Sequence, residues 1–391
     1  MENIKADIAF ISYVTHSSHL NYGATLHGYA FQKVLNLMGG GKNIVIDYLP
    51  VAVESDNLKY PILNKEKGRN LTTWCAVKAN YLMSLWTNIE KFNKFKRFID
   101  TKMAKTSKLY SHQELAECTS LPEDPDIFVC ESDVIWKYLD GENFDENFFL
   151  SFPAAKGKRK VAYAPTISAH ALSDTSKAKL IDLVSEFDAI SSREEEGGKY
   201  LSKILNREIP WVLDPTLLLD EKDYEDIIQR PKENNYLMIY NCTVNDRAMV
   251  KEACRYAKEH NLKVIEISNY AINSLSPWHE VKCNVGIEEW LGYIKYSSVF
   301  CTNSFHGLCF AIIFKKGLFL FQRDRNDHRM PNLINKFGMN SCFIEVEDRR
   351  IPETSQAVNY DEVYKRLSVY RKKSIEFIKK HIIDSQERED R

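Results

Sequence analysis

The sequence lacks a charge excess of either sign: 53 lysines and arginines stand against 54 aspartates and glutamates in 391 residues. A near-neutral chain has no general field to draw in nucleic acid or anionic lipid, so any anion site must be built locally. The nine cysteines form an odd, scattered set without a CxxC pair, which argues against a disulfide framework and a zinc knuckle. No stretch is apolar enough to span a bilayer; the greasiest, Leu308 to Phe314, runs into Lys315 and Lys316. The opening MENIKADIAF lacks the basic segment, apolar run and cleavage site of a secretory signal, so a soluble cytoplasmic protein is expected. HExxH, EF-hand and nucleophile-elbow patterns are missing as well. Gly39-Gly40-Gly41-Lys42 fails as a phosphate loop, because Asn36 and Asn43 stand where glycine and serine or threonine are needed. No cage of carboxylates is visible, so no metal site is expected, and any magnesium would be carried by substrate oxygens.

What is present is an alternation of short β-branched runs with helix-period segments. With 44% hydrophobic residues the chain can fill two cores. Strands are expected at Ala6–Val14, Asn43–Leu49, Asp126–Cys130, Lys160–Ala164, Phe187–Ser191 and Trp211–Leu213, forming an N-terminal domain over residues 1–220. A charged stretch, 221–235, reads as the linker. A second series over 236–360 has strands at Tyr236–Cys242, Leu262–Ser268, Val299–Thr302 and Leu318–Phe321. Residues 361–391 form an amphipathic helix and tail. The pattern predicts an α/β protein of two domains with parallel sheets, ligands sitting at the carboxyl ends of the strands in a cleft where the sheets face each other. A helical insertion at about 56–110 has twelve Lys or Arg between Lys59 and Lys108 against three acids. It reads as a solvated face or as a contact with anionic lipid at the membrane surface.

Four segments carry candidate chemistry. In SSVFCTNSFHGLCFAIIFKKG a strand ends in small polar residues and a helix begins at once, so the amides of Phe305, His306 and Gly307 could hold a phosphate or carboxylate, with Gly307 permitting close approach. Equally, Ser304 could simply cap the helix. In FDAISSREEEGG, Arg193 could clamp an anion, or pair with one of the glutamates after it. In ESDVIW, an acid beside Trp136 suits a sugar site, although Trp136 also reads as core. The loop His16 to Gly23, with Asn21 and Tyr22, should face the same cleft, or Asn21 could be an N-cap.

These pieces occur in a fixed order: NYGATLHGYAFQKVL with VIDYLP, ESDVIW, YAPTIS, SSREEEG, VLDPTLLL and TNSFHGLCFAIIF. Along most of its length the chain therefore resembles the polysaccharide pyruvyl transferases. The departures are Glu131 where many relatives have glycine, Val134 where they have glutamine, Ser304 where some have arginine, and the poorly matched insertion. The resemblance implies two Rossmann-like domains in the glycosyltransferase-B arrangement, with phosphoenolpyruvate as donor and no redox cofactor. Arg193, Asn303, Ser304, Phe305, His306 and Gly307 would line the donor pocket, with Arg329 or Arg323 replacing the missing arginine. Asn21, Tyr22, Ser132, Asp133, Trp136 and Thr166 would meet a glycan acceptor, expected to be lipid-linked. His306 would donate a proton or face the phosphate, Asp133 would accept the hydroxyl proton, and Arg193 would stabilise the departing charge. A nucleotide-sugar glycosyltransferase and a non-catalytic glycan-binding protein are the alternatives on the same architecture.

Overall fold

The computed structural model describes residues 6–14, 20–54, 57–64, 71–136, 144–167, 173–242, 246–323, 329–352 and 358–384. The chain divides into two compact units, one of Met1–Ser55, Ile99–Leu219 and Ser368–Arg391, the other of Asp56–Phe98 and Asp220–Leu367. The expected insertion is thus shared: residues 56–98 belong to the second unit, and the segment from Ile99 onward to the first. The last helix, Tyr360–Ile378, begins in one and ends in the other.

In the first unit the strands are β1 (Ile8–Ile11), β2 (Asn43–Val45), β3 (Tyr48–Leu49), β4 (Tyr110–Ser111), β5 (Ile127–Trp136), β6 (Arg159–Ile167) and β7 (Ala189–Ile190). Five make an all-parallel sheet in the order β2-β1-β5-β6-β7, while β3 pairs with β4 alone. Every residue of β1 is buried, as a parallel strand covered on both faces requires, which is why it reads as a continuous apolar run. Two expectations change here. β5 does not stop at Cys130; it continues to Trp136 through an irregularity beyond Asp133, with Ser132 (φ 36°) and Asp133 (φ 68°) in the left-handed region. Trp211–Leu213 is not a strand but an isolated bridge from Trp211 to Ser192, held between Pro210 and Pro215.

The second unit contains β8 (Tyr236–Tyr240), β9 (Lys263–Ile267), β10 (Glu280–Lys282), β11 (Val299–Thr302), β12 (Leu318–Phe321) and β13 (Phe343–Ile344). They form an all-parallel sheet in the order β10-β9-β8-β11-β12-β13. The stretch expected as a linker carries a 3-10 turn, Glu221–Ile227, whose buried Tyr224 packs edge-on against Phe310 at 5.2 Å. Each unit is a Rossmann-like α/β fold with parallel strands and its own core, one around Phe128, Phe148 and Trp136, the other around Leu237, Ile239 and Phe321. In both, the strand order reverses direction once, between β1 and β5 and between β8 and β11. At such switch points the flanking loops part and leave a crevice at the carboxyl ends of the strands.

Candidate functional site

The first switch point is filled by a buried ionic network. Residue Ser12, just past β1, donates its hydroxyl to the Ser132 carbonyl at 3.2 Å, tying the two loops together. His27 projects from the Tyr22–Leu37 helix and is wholly buried; its Nδ1 lies 3.0 Å from both oxygens of Glu131, and its Nε2 lies 3.7 Å from Asp133 Oδ2. From the other side Arg193 donates through Nη1 to Asp214 (2.7 Å) and through Nη2 to Asp133 (3.3 Å) and Thr166 (3.1 Å). Thr166 passes its own proton to Glu194 at 2.9 Å. Asp133 is the outlet of the network: its side chain is 17% exposed, where Glu131 and Asp214 are at 0%.

The environment sets the protonation of these groups. Burial opposes the imidazolium of His27, but the hydrogen-bonded Glu131 and the nearby Asp133 carboxylate more than offset this and push it up to about 10. Burial raises Glu131, against the pull of His27. Burial likewise works against the Arg193 charge, yet Asp214 and Asp133 raise its pKa, so it stays a cation. Two cations, His27 and Arg193, therefore face three carboxylates, Glu131, Asp133 and Asp214. With Glu131 ionised the set is net negative.

Several expectations change accordingly. Arg193 is not turned toward an external anion, because its fork of donors is committed to Asp214, Asp133 and Thr166 with only 3% of its side chain exposed. Its hydrogen bonds run to these aspartates and to Thr166, and the adjacent Glu194 adds to the negative charge that holds it. Trp136 is core: its ring stacks on Phe149 at 4.9 Å, its Nε1 donates to the Phe148 carbonyl, and it has no exposed surface to offer a sugar. Tyr22 is buried too, and Asn21 caps the helix by accepting from the amides of Gly23 and Ala24. Residues 15–19 of the same loop lie outside the described residues. Ser132 and Thr166 are buried members of the network.

At the second switch point Asn303 is fixed by accepting from the Cys242 amide (2.8 Å) and donating to Asn241 (3.2 Å), which joins the ends of β8 and β11. The Phe305–Ile313 helix starts next, with Ser304 as its cap, accepting from the Gly307 amide at 3.2 Å. That amide is thus spent within the helix and is not part of an open anion site. The small size of Gly307 also serves packing: a Cβ there would lie 2.7 Å from Thr302 Oγ1. Phe305 and His306 remain as the expected first helical residues, their rings edge to face at 5.3 Å. At the other end of this helix the left-handed residue is Lys315 (φ 50°), not Gly317. Arg323 follows β12 in this unit; the side chain of Arg329 lies outside the described residues. Among the described residues no three His, Cys, Asp or Glu side chains converge to hold a metal ion.

The family model for polysaccharide pyruvyl transferase matches residues 21–325. This chain belongs to that family. As a polysaccharide pyruvyl transferase it is an enzyme and a transferase, and the family implies a polysaccharide acceptor. The matched span takes in the second switch point and the β5 side of the first, and leaves out β1, Ser12, Arg329 and the last helix. Curated protein sequences yielded no match. Among solved structures, the UDP-GlcNAc 2-epimerase from Methanocaldococcus jannaschii is similar at 11% identity and a TM-score of 0.44, over 94% of this chain and 93% of that one. The S. aureus MnaA-UDP co-structure gives 12% and 0.46 over 96% of each chain, and the calicheamicin glycosyltransferase CalG4 gives 10% and 0.42 over 98% and 95%.

Residue-by-residue reading passed over His27, Glu131 and Asp214 as functional groups. A histidine inside an apolar helix reads as a core residue, and its carboxylate partner stands 104 positions away. The signal that could have found them is the pairing itself: three family segments, NYGATLHGYAFQKVL, ESDVIW and VLDPTLLL, place His27, Glu131 and Asp133, and Asp214 among apolar neighbours, and buried charges require partners.

Proposed function

We propose that the enzyme forms a pyruvate ketal across two hydroxyls of a sugar in a bacterial surface polysaccharide or its lipid-linked precursor, taking the three carbons from phosphoenolpyruvate and releasing phosphate. The observation that supports this most is a partly exposed carboxylate, Asp133, held at a switch point by His27 and Arg193. A net negative cluster suits a neutral sugar hydroxyl and disfavours a phosphate. The donor anion is accordingly assigned to the other switch point, at Asn303, Ser304, Phe305 and His306, where a helix N-terminus favours negative charge. Arg193 becomes a positioning residue for Asp133 rather than a donor clamp.

In this scheme a sugar hydroxyl oxygen attacks C2 of phosphoenolpyruvate while its proton passes to Asp133. His306 delivers a proton to C3, turning the methylene into a methyl group. The C2–O bond to phosphate breaks with its electron pair leaving on phosphate, and the neighbouring hydroxyl adds to C2. The proton it sheds leaves with the phosphate. The work is expected to be done in the cytoplasm, at the inner face of the membrane where a lipid-linked acceptor would be presented.

Incubation with phosphoenolpyruvate and a panel of model glycosides should give a product heavier by one pyruvate less one water, with one phosphate released per ketal. Asp133→Asn should lower kcat by about 10²–10⁴-fold, while phosphoenolpyruvate still raises the melting temperature. Stabilisation by nucleotide sugars alone, with no phosphate released in the presence of any sugar, would overturn the reading.

A further inference from the structure

The Leu71–Met83 helix has the sequence LTTWCAVKANYLM and a single charge. That charge is turned inward: Lys78 donates to the carbonyls of Ile62 and Asn64 at 2.6 Å each. None of the helix's described side chains is buried, and Trp74, Leu82 and Met83 are exposed. Trp86, just after it, is 81% exposed. The helix packs against the turn Ala271–Leu275 of the same unit, beyond which Leu275 and Trp278 stand out, the latter 80% exposed. Single exposed hydrophobics need no explanation, but three tryptophans with this many aliphatic neighbours on one unit mark an interaction surface.

The polar border of this surface points to its partner. Trp278 lines a trough of about 1200 Å³ together with the exposed cations Arg247, Lys251, Lys258 and Lys263, against one exposed acid, Glu280, and the buried Glu266. Three cations of the neighbouring Leu85–Lys102 helix are engaged within the unit: Lys94 pairs with Glu289, Arg97 with Glu288, and Lys91 is buried against Asn269. No described helix is long and apolar enough to cross a membrane. Exposed indoles beside unburied lysines match the boundary layer of a bilayer, where the ring packs on acyl chains and its N–H meets headgroups. A second copy of the chain would bring cations against cations.

We propose that this face of the second unit docks on an anionic membrane surface, with Trp74, Trp86 and Trp278 in the headgroup layer and Lys251, Lys258 and Lys263 above it. The assignment is independent of the donor and of the ketal chemistry. Co-sedimentation of the full chain with phosphatidylcholine vesicles, with and without phosphatidylglycerol, tests it. Binding should require phosphatidylglycerol, weaken with added salt, and shift tryptophan emission to the blue. The double variant Trp86→Ser/Trp278→Ser should lose about tenfold in partitioning, and Lys251→Glu/Lys258→Glu should abolish the preference for phosphatidylglycerol. All four positions are exposed, so melting temperature and turnover on a soluble glycoside should stay as in the parent. Failure to bind either vesicle, or binding unchanged in both variants, would overturn the proposal. So would a dimer in light scattering that the tryptophan variant dissociates.

Discussion

Removing the Arg193 guanidinium would leave Asp214, fully buried, without its counter-charge, and Asp133, partly exposed, with His27 alone. Uncompensated burial of this kind costs about 3–5 kcal/mol, so Arg193→Ala should lose that much in urea unfolding, and Arg193→Lys should recover part of it. A residue that only contacted a donor would change affinity and leave stability alone. His27 gives a second test at this scale. Its pKa is raised to about 10 from an ordinary value near 6.5, so the folded state holds a proton that the unfolded chain releases. The resulting stabilisation is complete below about pH 6.5 and is lost as pH climbs toward 10, at roughly 1.4 kcal/mol per pKa unit. Glu131, raised by burial, has the same sign, but its loss begins above its ordinary value of 4.5. Unfolding free energies at several pH values between 6.5 and 10 should fall in the parent and stay flatter in His27→Gln.

At the scale of elements, Gly307 shows how a position can be legible in sequence while its reason is not. The strand-to-helix junction at Thr302–Phe305 was readable because small polar residues separate two apolar runs, and the structure places the helix start at Phe305. What Gly307 faces depends on Thr302 Oγ1, which is pinned by donating to the Tyr240 carbonyl and accepting from the Ser304 amide. An alanine in a helix gains about 1 kcal/mol over glycine, but a Cβ at 2.7 Å from a fixed oxygen cannot be accommodated without a shift. Overpacking costs about 1–3 kcal/mol, so Gly307→Ala should destabilise on balance. In a Thr302→Ala background the same change should cost less, and a double-mutant cycle by denaturant unfolding measures the difference. The bend after β5 was illegible for a related reason. Nothing local in ESDVIW demands left-handed residues; the conformation of Ser132 and Asp133 is over-determined by Ser12, His27 and Arg193, which arrive from other strands and helices.

For the whole molecule, alternation of runs was enough to predict two parallel α/β folds, because the central strands are mostly apolar and are separated by stretches with the helix period. The assignment of segments to units was not readable, since it depends on where residues 56–98 and the last helix pack. That helix can be cut to ask whether the units share their stability. Beyond Leu367, Ser374 accepts from the Leu213 amide, Arg371 donates to the carbonyls of Leu217 and Leu219, and Phe377, Ile378 and Ile382 are buried in the first unit. Three such side chains contribute about 1.5–3 kcal/mol each, against a total of about 5–15 kcal/mol for a typical domain. A chain ending at Leu367 keeps Val363 and Leu367, both buried, for the second unit. Hydrogen exchange should therefore show protection collapsing in β1, β5 and β6 while β8, β11 and β12 hold theirs. Equal loss in both sheets would mean that the units unfold as one, and unchanged protection would mean that the helix end is dispensable.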